Sequence, residues 1–520
     1  MAVLGTILIT VGILAAIGFF SMGFFLGYSK FIRDFIKQEV KKQTRLENGT
    51  DQYDRWKKLP FPLEFRIYVF NVTNPHEIEH KGAIPIVHEV GPFVYHEHFH
   101  KDKIERQDKN DILMYNQYLK MTFQRQLSAY GDDIKITVPN LPLQGVFQNE
   151  EDGDLPPAIQ NIAVNRLWPR AFRNDGIFVT LPVKRFFFEG YIFCNTTVEK
   201  PKKDLGLIQS ILETAMNVAR QIFCNQVRKV AASNPTIIPG RDHLKFSMFK
   251  HKDNNTDGRF EILAGITDIN KLGQIQTWNK TSHLNLWAGG TNSTCNAIRG
   301  TDSTIYAPWT FAKSSTLLTF NTDICRTVKL TTIEEINFKG IPGVKAIMGP
   351  DNMENSGESS CYCINKTRNL AGDHDCFPKG FCDMGNCLKA PIIISFPHML
   401  WADAIYRDTV KGLEPSEEKH VSFVALEPTT GTPLQGRKRM QFNVPMRPIK
   451  EIQVTHHLTA AMVPVLWVEE SFDLPDDMVA KVKADYVNKM FMLDVTVYVM
   501  LGGGLIGGTM LVMYLVFPRY

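Results

Sequence analysis

Two copies of the pattern H-E-x-x-H are the residues whose types and spacing best suit chemistry. His76-Glu77-Ile78-Glu79-His80 follows Asn74-Pro75, a plausible helix start, and His96-Glu97-His98-Phe99-His100 continues a strand-like run after Gly91-Pro92. Zinc peptidases use this spacing because histidines at i and i+4 share a helical face, while the glutamate activates a metal-bound water. Gly82 ends the first helix almost at once. On a strand, the outer histidines of the second copy share one side and Glu97 points to the other. No third ligand at convincing spacing follows either copy. Both copies are therefore read as surface histidines, with no metal, no cofactor and no catalytic residue assigned. No G-x-S-x-G elbow and no Walker loop is present, so nothing in the chain argues for an enzyme.

Cysteine offers a second chemistry. The nine cysteines fall at 194, 224, 295, 325, 361, 363, 376, 382 and 387. In a cytosolic chain the cluster from Cys361 to Cys387 would suggest zinc; in an exported domain it is a disulfide framework. The repeated C-x-x-C knuckle typical of tetrahedral zinc is missing, which favours disulfides. Seven N-x-S/T acceptor sites agree with export: Asn48, Asn71, Asn195, Asn254, Asn279, Asn292 and Asn365. Net charge is only +4 over 520 residues, so no nucleic-acid partner is suggested.

The elements that must position these residues begin with two uncharged apolar spans, from about Ala2 to Leu26 and from about Val495 to Phe517. Each has roughly the 20 apolar positions that a membrane-crossing helix requires. The first is read as a retained anchor, because no Lys or Arg precedes it and its run is too long for a signal peptide. Lys30, Arg33, Lys37, Lys41, Lys42 and Arg45 follow it and alone would hold the middle region in the cytoplasm. Sequons and cysteines outweigh them. The expectation is a plasma-membrane protein with both termini cytoplasmic and residues 28–494 outside, between transmembrane helices at 1–27 and 495–520. Gly502, Gly503, Gly504, Gly507 and Gly508, with Gly23 and Gly27, supply G-x-x-x-G faces through which two copies could pair.

Strand candidates lie in 65–99, 178–193, 244–249, 391–396, 421–426, 439–444 and 450–455. They are short and joined by Pro/Gly turns, which suits antiparallel sheet better than βαβ units. A helix is expected from about Leu205 to Ser233, where Ile208, Ile211, Leu212, Ala215, Ala219, Ile222 and Phe223 recur at helical spacing. Others are expected at about 156–172, 476–490 and, as a solvated cationic helix, 30–46.

Several segments, in order, resemble the class B scavenger receptor family. They are Phe70-Asn-Val-Thr-Asn-Pro-His-Glu77, Glu89-Val-Gly-Pro-Phe-Val-Tyr95, Gly300-Thr-Asp-Ser-Thr-Ile-Tyr-Ala-Pro308, Asp323-Ile-Cys-Arg326, Cys361-Tyr-Cys363, Ser395-Phe-Pro-His398, Leu426-Glu-Pro-Thr-Thr-Gly431, Lys438-Arg-Met-Gln-Phe-Asn443 and Val463-Pro-Val-Leu-Trp467. Ser247-Met-Phe-Lys-His251, Asp257-Gly-Arg-Phe260 and Cys376-Phe-Pro-Lys-Gly380 are most similar to its insect sensory neuron membrane proteins. The resemblance implies an α+β fold: a large extracellular antiparallel β-barrel-like domain with a helical cap at about 150–235, a disulfide region at 295–387 and an internal apolar tunnel. It implies the pairs Cys295–Cys361, Cys325–Cys387 and Cys363–Cys376, with Cys382 left over. Cys194 and Cys224 flank the best helix and could pair. Arg166 is the closest match to the family's cationic cap residue, with Arg170 and Arg173 nearby as ligand-capture candidates. The function implied is a receptor that captures hydrophobic ligands, such as fatty-acid-derived pheromones or odorants. It would pass them through the tunnel to the membrane or to an odorant receptor, with an odorant-binding protein as carrier, on a sensory neuron dendrite. General scavenging of lipoprotein or fatty acid is the alternative.

Overall fold

Alternating burial along long strands organises the largest element of the molecule. The computed structural model describes residues 2–28, 30–107, 111–153, 171–172, 176–196, 207–313 and 316–516. One antiparallel sheet runs from Ile275–Trp278 through Asn255–Leu263, Ile112–Phe123, Val87–Gln107, Leu63–Val72, Ala461–Asp473, Pro433–Met446, Phe423–Leu426, Ile341–Met348 and Arg326–Phe338 to Thr316–Asn321. Two short strands, Cys382–Asp383 and Ile393–Ser395, attach beside Pro433–Met446. The chain ends meet in the middle, because Leu63–Val72 pairs with Ala461–Asp473.

The sheet does not close as a barrel. Residues 279–313 contribute turns and short helices rather than a closing strand, so Ile275–Trp278 and Thr316–Asn321 remain edges among the described residues. Residues 300–301 stitch them: Ile275 N donates to Gly300 O (2.9 Å), and Thr301 N to Leu318 O (3.2 Å). Gly300 has φ +85°, and a Cβ there would strike the Leu318 carbonyl, so only glycine lets the two backbones approach.

The expected strand at 178–193 is interrupted. Phe178–Pro182 is strand, but Arg185–Glu189 forms a π-turn that buries Phe186 and Phe187 before Tyr191–Phe193 resumes. The expected strand at 450–455 is instead a 3₁₀ turn at Gln453–Thr455, where Thr455 Oγ1 donates to Ile452 O (2.7 Å) and accepts from Ile449 N (2.8 Å). That local side-chain bonding competes with a ladder.

Helix Leu207–Val230 continues into a 3₁₀ turn, Ala231–Ser233. Its inner end is tied by Cys194–Cys224 and by Arg228, which donates to Gly240 O (2.8 Å) and His243 O (3.3 Å). The helix expected at 156–172 falls almost wholly outside the described residues. Helix Leu141–Glu151 was not anticipated. The cationic helix runs Lys30–Thr44.

The terminal helices, Ala2–Tyr28 and Asn488–Val516, pack on each other. A Cβ on Gly23 would lie 2.8 Å from Met500 Cβ, and one on Gly504 would lie 2.5 Å from Phe20 Cβ. Gly507 faces Ala16, whereas Gly502, Gly503 and Gly508 meet nothing. Among the described residues, Asp476–Met510 is long and apolar enough to cross a membrane, and Thr10–Phe25 is a shorter apolar stretch.

Candidate functional site

An apolar cavity of about 250 Å³ lies at the foot of helix Leu207–Val230. Val227 and Ala231 form one wall, Leu141, Gly145 and Val146 of helix Leu141–Glu151 another, and Phe193, Phe246 and Met248 a third. Leu388, Ile392 and Val444 join it to the sheet, with Lys366, Asn386 and Lys389 at its polar margin. The outer part of the same helix leaves Ile208, Ile211, Leu212, Val218 and Ile222 exposed. An apolar stripe of this size on a surface helix normally marks contact with an apolar partner.

The sheet's inner face is lined by aromatic rings. Phe65 meets Phe249 edge-on at 5.3 Å, Phe187 lies 5.7 Å from Phe249, and Tyr95 lies 4.7 Å from Phe188. The π-turn sets this wall, its carbonyls taking Met248 N and Phe249 N at 2.9 Å. A second cleft of about 200 Å³ opens beside Tyr95, Met121 and Phe188, with Asp132, Lys184, Glu189 and Asp253 around it.

Next to this wall sits a charged cluster. Lys438 Nζ bonds Asp323 Oδ2 (2.9 Å) and Glu470 Oε2 (3.1 Å), and Lys252 pairs with Asp323 Oδ1. Thr322 Oγ1 donates to Asp257 Oδ2 (2.7 Å). Burial works against ionising Asp323, but Lys252 and Lys438 prevail and hold its carboxyl well below the usual range. Burial, then the charge of Asp323, push Asp257 up to about 6. Burial, then Glu470, raise Glu97 well above an ordinary carboxylate despite Lys252 and Lys438. His251 is pushed down to about 4 by burial and then by Lys252.

On the opposite face, three of the recognised segments converge. Trp467 Nε1 donates to Glu89 Oε2 (2.6 Å), and His398 Nε2 lies 2.6 Å from the same oxygen. Glu414 N donates to His398 Nδ1 (2.9 Å), so the ring proton sits on Nε2 and points at Glu89. Burial opposes the Glu89 charge, but the bonds from His398 and Trp467 keep the carboxyl below its ordinary value. His420 stacks on His398 at 4.5 Å, and burial, then the neighbouring His398, push it down to about 4.

The residues singled out in the sequence are dispersed. His76 and His80 stack at 4.4 Å on a short exposed helix, Pro75–Lys81. His98 and His100 face solvent while Glu97 turns inward. Among the described residues no group of three or more His, Cys, Asp or Glu is arranged to hold a metal ion. Disulfides join Cys295–Cys361, Cys325–Cys387, Cys363–Cys376 and Cys194–Cys224, and Cys382 is free and buried. Asn48, Asn254, Asn279, Asn292 and Asn365 are exposed; Asn195 and Asn71 are half-buried, and Asn71 Oδ1 accepts from Thr137 N (2.8 Å). Arg166, Arg170 and Arg173 lie outside the described residues. Sequence reasoning assigned no role to the inner cluster, although His251, Asp257, Asp323 and Lys438 all belong to the quoted segments. Their recurrence as charges among apolar neighbours was the available signal.

The CD36 family profile matches residues 11–515. Sensory neuron membrane protein 2 of Anopheles gambiae is 31% identical over 93% of this chain and 89% of its own. The Drosophila melanogaster protein of that name is 30% identical over 94% and 93%. Sensory neuron membrane protein 1 of Pediculus humanus subsp. corporis is 29% identical over 95% and 89%.

Proposed function

The chain belongs to the CD36 family, and from that premise we propose a membrane receptor that captures hydrophobic ligands and passes them through its outer domain to the membrane or to an odorant receptor. The apolar cavity at the foot of helix Leu207–Val230 carries the reading. It lies on the helix that carries the exposed apolar stripe, where a ligand would land, and its Met248 precedes Phe249 of the aromatic wall. Taking a long apolar chain out of water gains roughly 0.8 kcal/mol per methylene. A lined conduit therefore speeds delivery without bond chemistry.

In this reading both terminal helices cross the plasma membrane of a sensory neuron dendrite, both termini are cytoplasmic, and glycans cover the seven acceptor asparagines. A tunnel links the cavity to the membrane. Fatty-acid-derived pheromones or odorants are the ligands, delivered by an odorant-binding protein. Sensory neuron membrane proteins as relatives, and five exposed acceptor asparagines, support it.

Gly145→Phe tests it. Nothing lies closer to a Cβ there than Pro391 Cδ at 4.0 Å, so the ring enters the cavity with little strain. Transfer of a fluorescent 16-carbon alcohol from solution into protein-bearing vesicles should slow about tenfold, with surface expression retained. An unchanged rate at normal expression would sink the conduit.

A further inference from the structure

Glu97 is 2% exposed, and its Oε2 has no hydrogen-bond partner. Tyr95, two residues away on the same strand and face, is also buried with an unpartnered hydroxyl. Orphaned polar atoms at such depth imply space that a polar group or water fills.

The space is visible from Lys438. Along its own strand face it is flanked by buried Leu434 and Gly436 on one side and buried Met440 and Phe442 on the other. Yet 41% of the Lys438 side chain is accessible. Lys438 pairs with Glu470 and Glu470 with Phe65, so Lys438 lies in the same cross-strand row as the aromatic wall.

The charges decide what such a space accepts. Lys252 and Lys438 are both engaged by Asp323, and Lys438 also by Glu470. Against these two cations stand Asp323, Glu470 and Asp257, so an arriving anion would find no free cation in this cluster and carboxylates beside it. Glu97 Oε2 is buried without a partner, and burial and then Glu470 make its carboxyl hold a proton more tightly than an ordinary carboxyl does, which suits it to donate a hydrogen bond.

We propose that Glu97 forms a receiving site for the oxygen-bearing head of an uncharged long-chain alcohol, aldehyde or ester, the chain lying along the aromatic wall. The inference rests on the conduit reading and deepens it by assigning the residue that receives the ligand's head. A hydrogen bond between neutral groups is worth about three- to tenfold in affinity. Glutamine keeps a neutral donor of the same shape, whereas leucine removes it.

The test uses full-length protein in phospholipid nanodiscs with four probes: hexadecanal labelled with ¹³C at C1, hexadecanol, hexadecane and hexadecanoate. Glu97→Leu should weaken hexadecanal and hexadecanol about three- to tenfold and leave hexadecane unchanged, while Glu97→Gln stays near wild type. The infrared ¹³C=O stretch of bound hexadecanal should be lowered in the wild type, which requires no variant to fold. An unshifted stretch, meaning that the space holds water only, overturns the site. So does an equal loss for hexadecane, or hexadecanoate binding tighter than hexadecanol at pH 8. If hexadecane and all the others fail to bind, the conduit reading falls with it; if all four bind alike, only the receiving site falls.

Discussion

At residue scale, Glu97 and Asp257 keep protons that an exposed carboxylate would shed, while His251 and His420 stay neutral where an exposed histidine would charge. The signs oppose. Stability changes with pH by roughly 1.4 kcal/mol per unit for each proton by which the unfolded state exceeds the folded one. Between about pH 6.5 and 4 the unfolded chain protonates both histidines and the folded chain does not, so they cost stability as pH falls. From about pH 6 down to 3.8 the folded chain holds the Asp257 proton that the unfolded chain lacks, which returns stability. Glu97 acts in the same direction above pH 4.5. The wild type should therefore lose little stability between pH 6 and 4.5. Glu97→Gln removes one compensating proton, so its denaturation midpoint should be higher than wild type at pH 7 and fall more steeply on acidification. Parallel pH profiles for the two proteins would show that Glu97 is ionised in the fold. The sequence placed Glu97 opposite its flanking histidines, because side-chain alternation on a strand needs no tertiary information. It gave no hint that the residue lacks a partner, since the cluster around it is assembled from segments as distant as 252, 323, 438 and 470.

Legibility at element scale followed periodicity. Helix Leu207–Val230 was readable because its apolar residues repeat over many turns. Glu97, Lys101 and Lys438 place charge at inward positions of long strands and break the alternation that announces a sheet. The π-turn at Arg185–Glu189 was hidden because Phe186, Phe187 and Phe188 are strand formers, and only packing against Met248 and Phe249 favours the turn. The readable helix also depends on a covalent tie. Replacing both Cys194 and Cys224 by serine should cost about 2–4 kcal/mol in unfolding free energy. Hydrogen exchange should quicken first in Leu207–Val230, while the paired strands Leu63–Val72 and Ala461–Asp473 keep their protection. Uniform quickening across helix and sheet would mean that the bond holds the whole domain rather than the helix.

The whole molecule is closed by its own ends. Leu63–Val72 pairs with Ala461–Asp473 at the centre of the sheet, and Asp51 pairs with Lys481, so the segments that lead to the two terminal helices are held together. Their packing then follows from proximity, and the glycines determine which faces meet. Gly23 and Gly504 are buried in this contact, and Gly507 faces Ala16, which uses within one chain the close-approach surface that the sequence suggested for pairing two. In a bilayer such contact gains from van der Waals packing rather than hydrophobic burial, so a bulky residue at the crossing cannot be absorbed. A cysteine pair at Ala16 and Gly507 separates the two arrangements. Oxidation in native membranes should join the helices inside one chain: a protease cut in the outer domain would release two fragments only after reduction, and the uncut protein would run as a monomer. A disulfide-linked dimer that reduction returns to monomer would instead assign these faces to two copies. Gly504→Leu should abolish the intrachain link, because its side chain would occupy the backbone space of Phe20. Gly503→Leu should preserve the link, because no atom lies within 4 Å of a Cβ at that position.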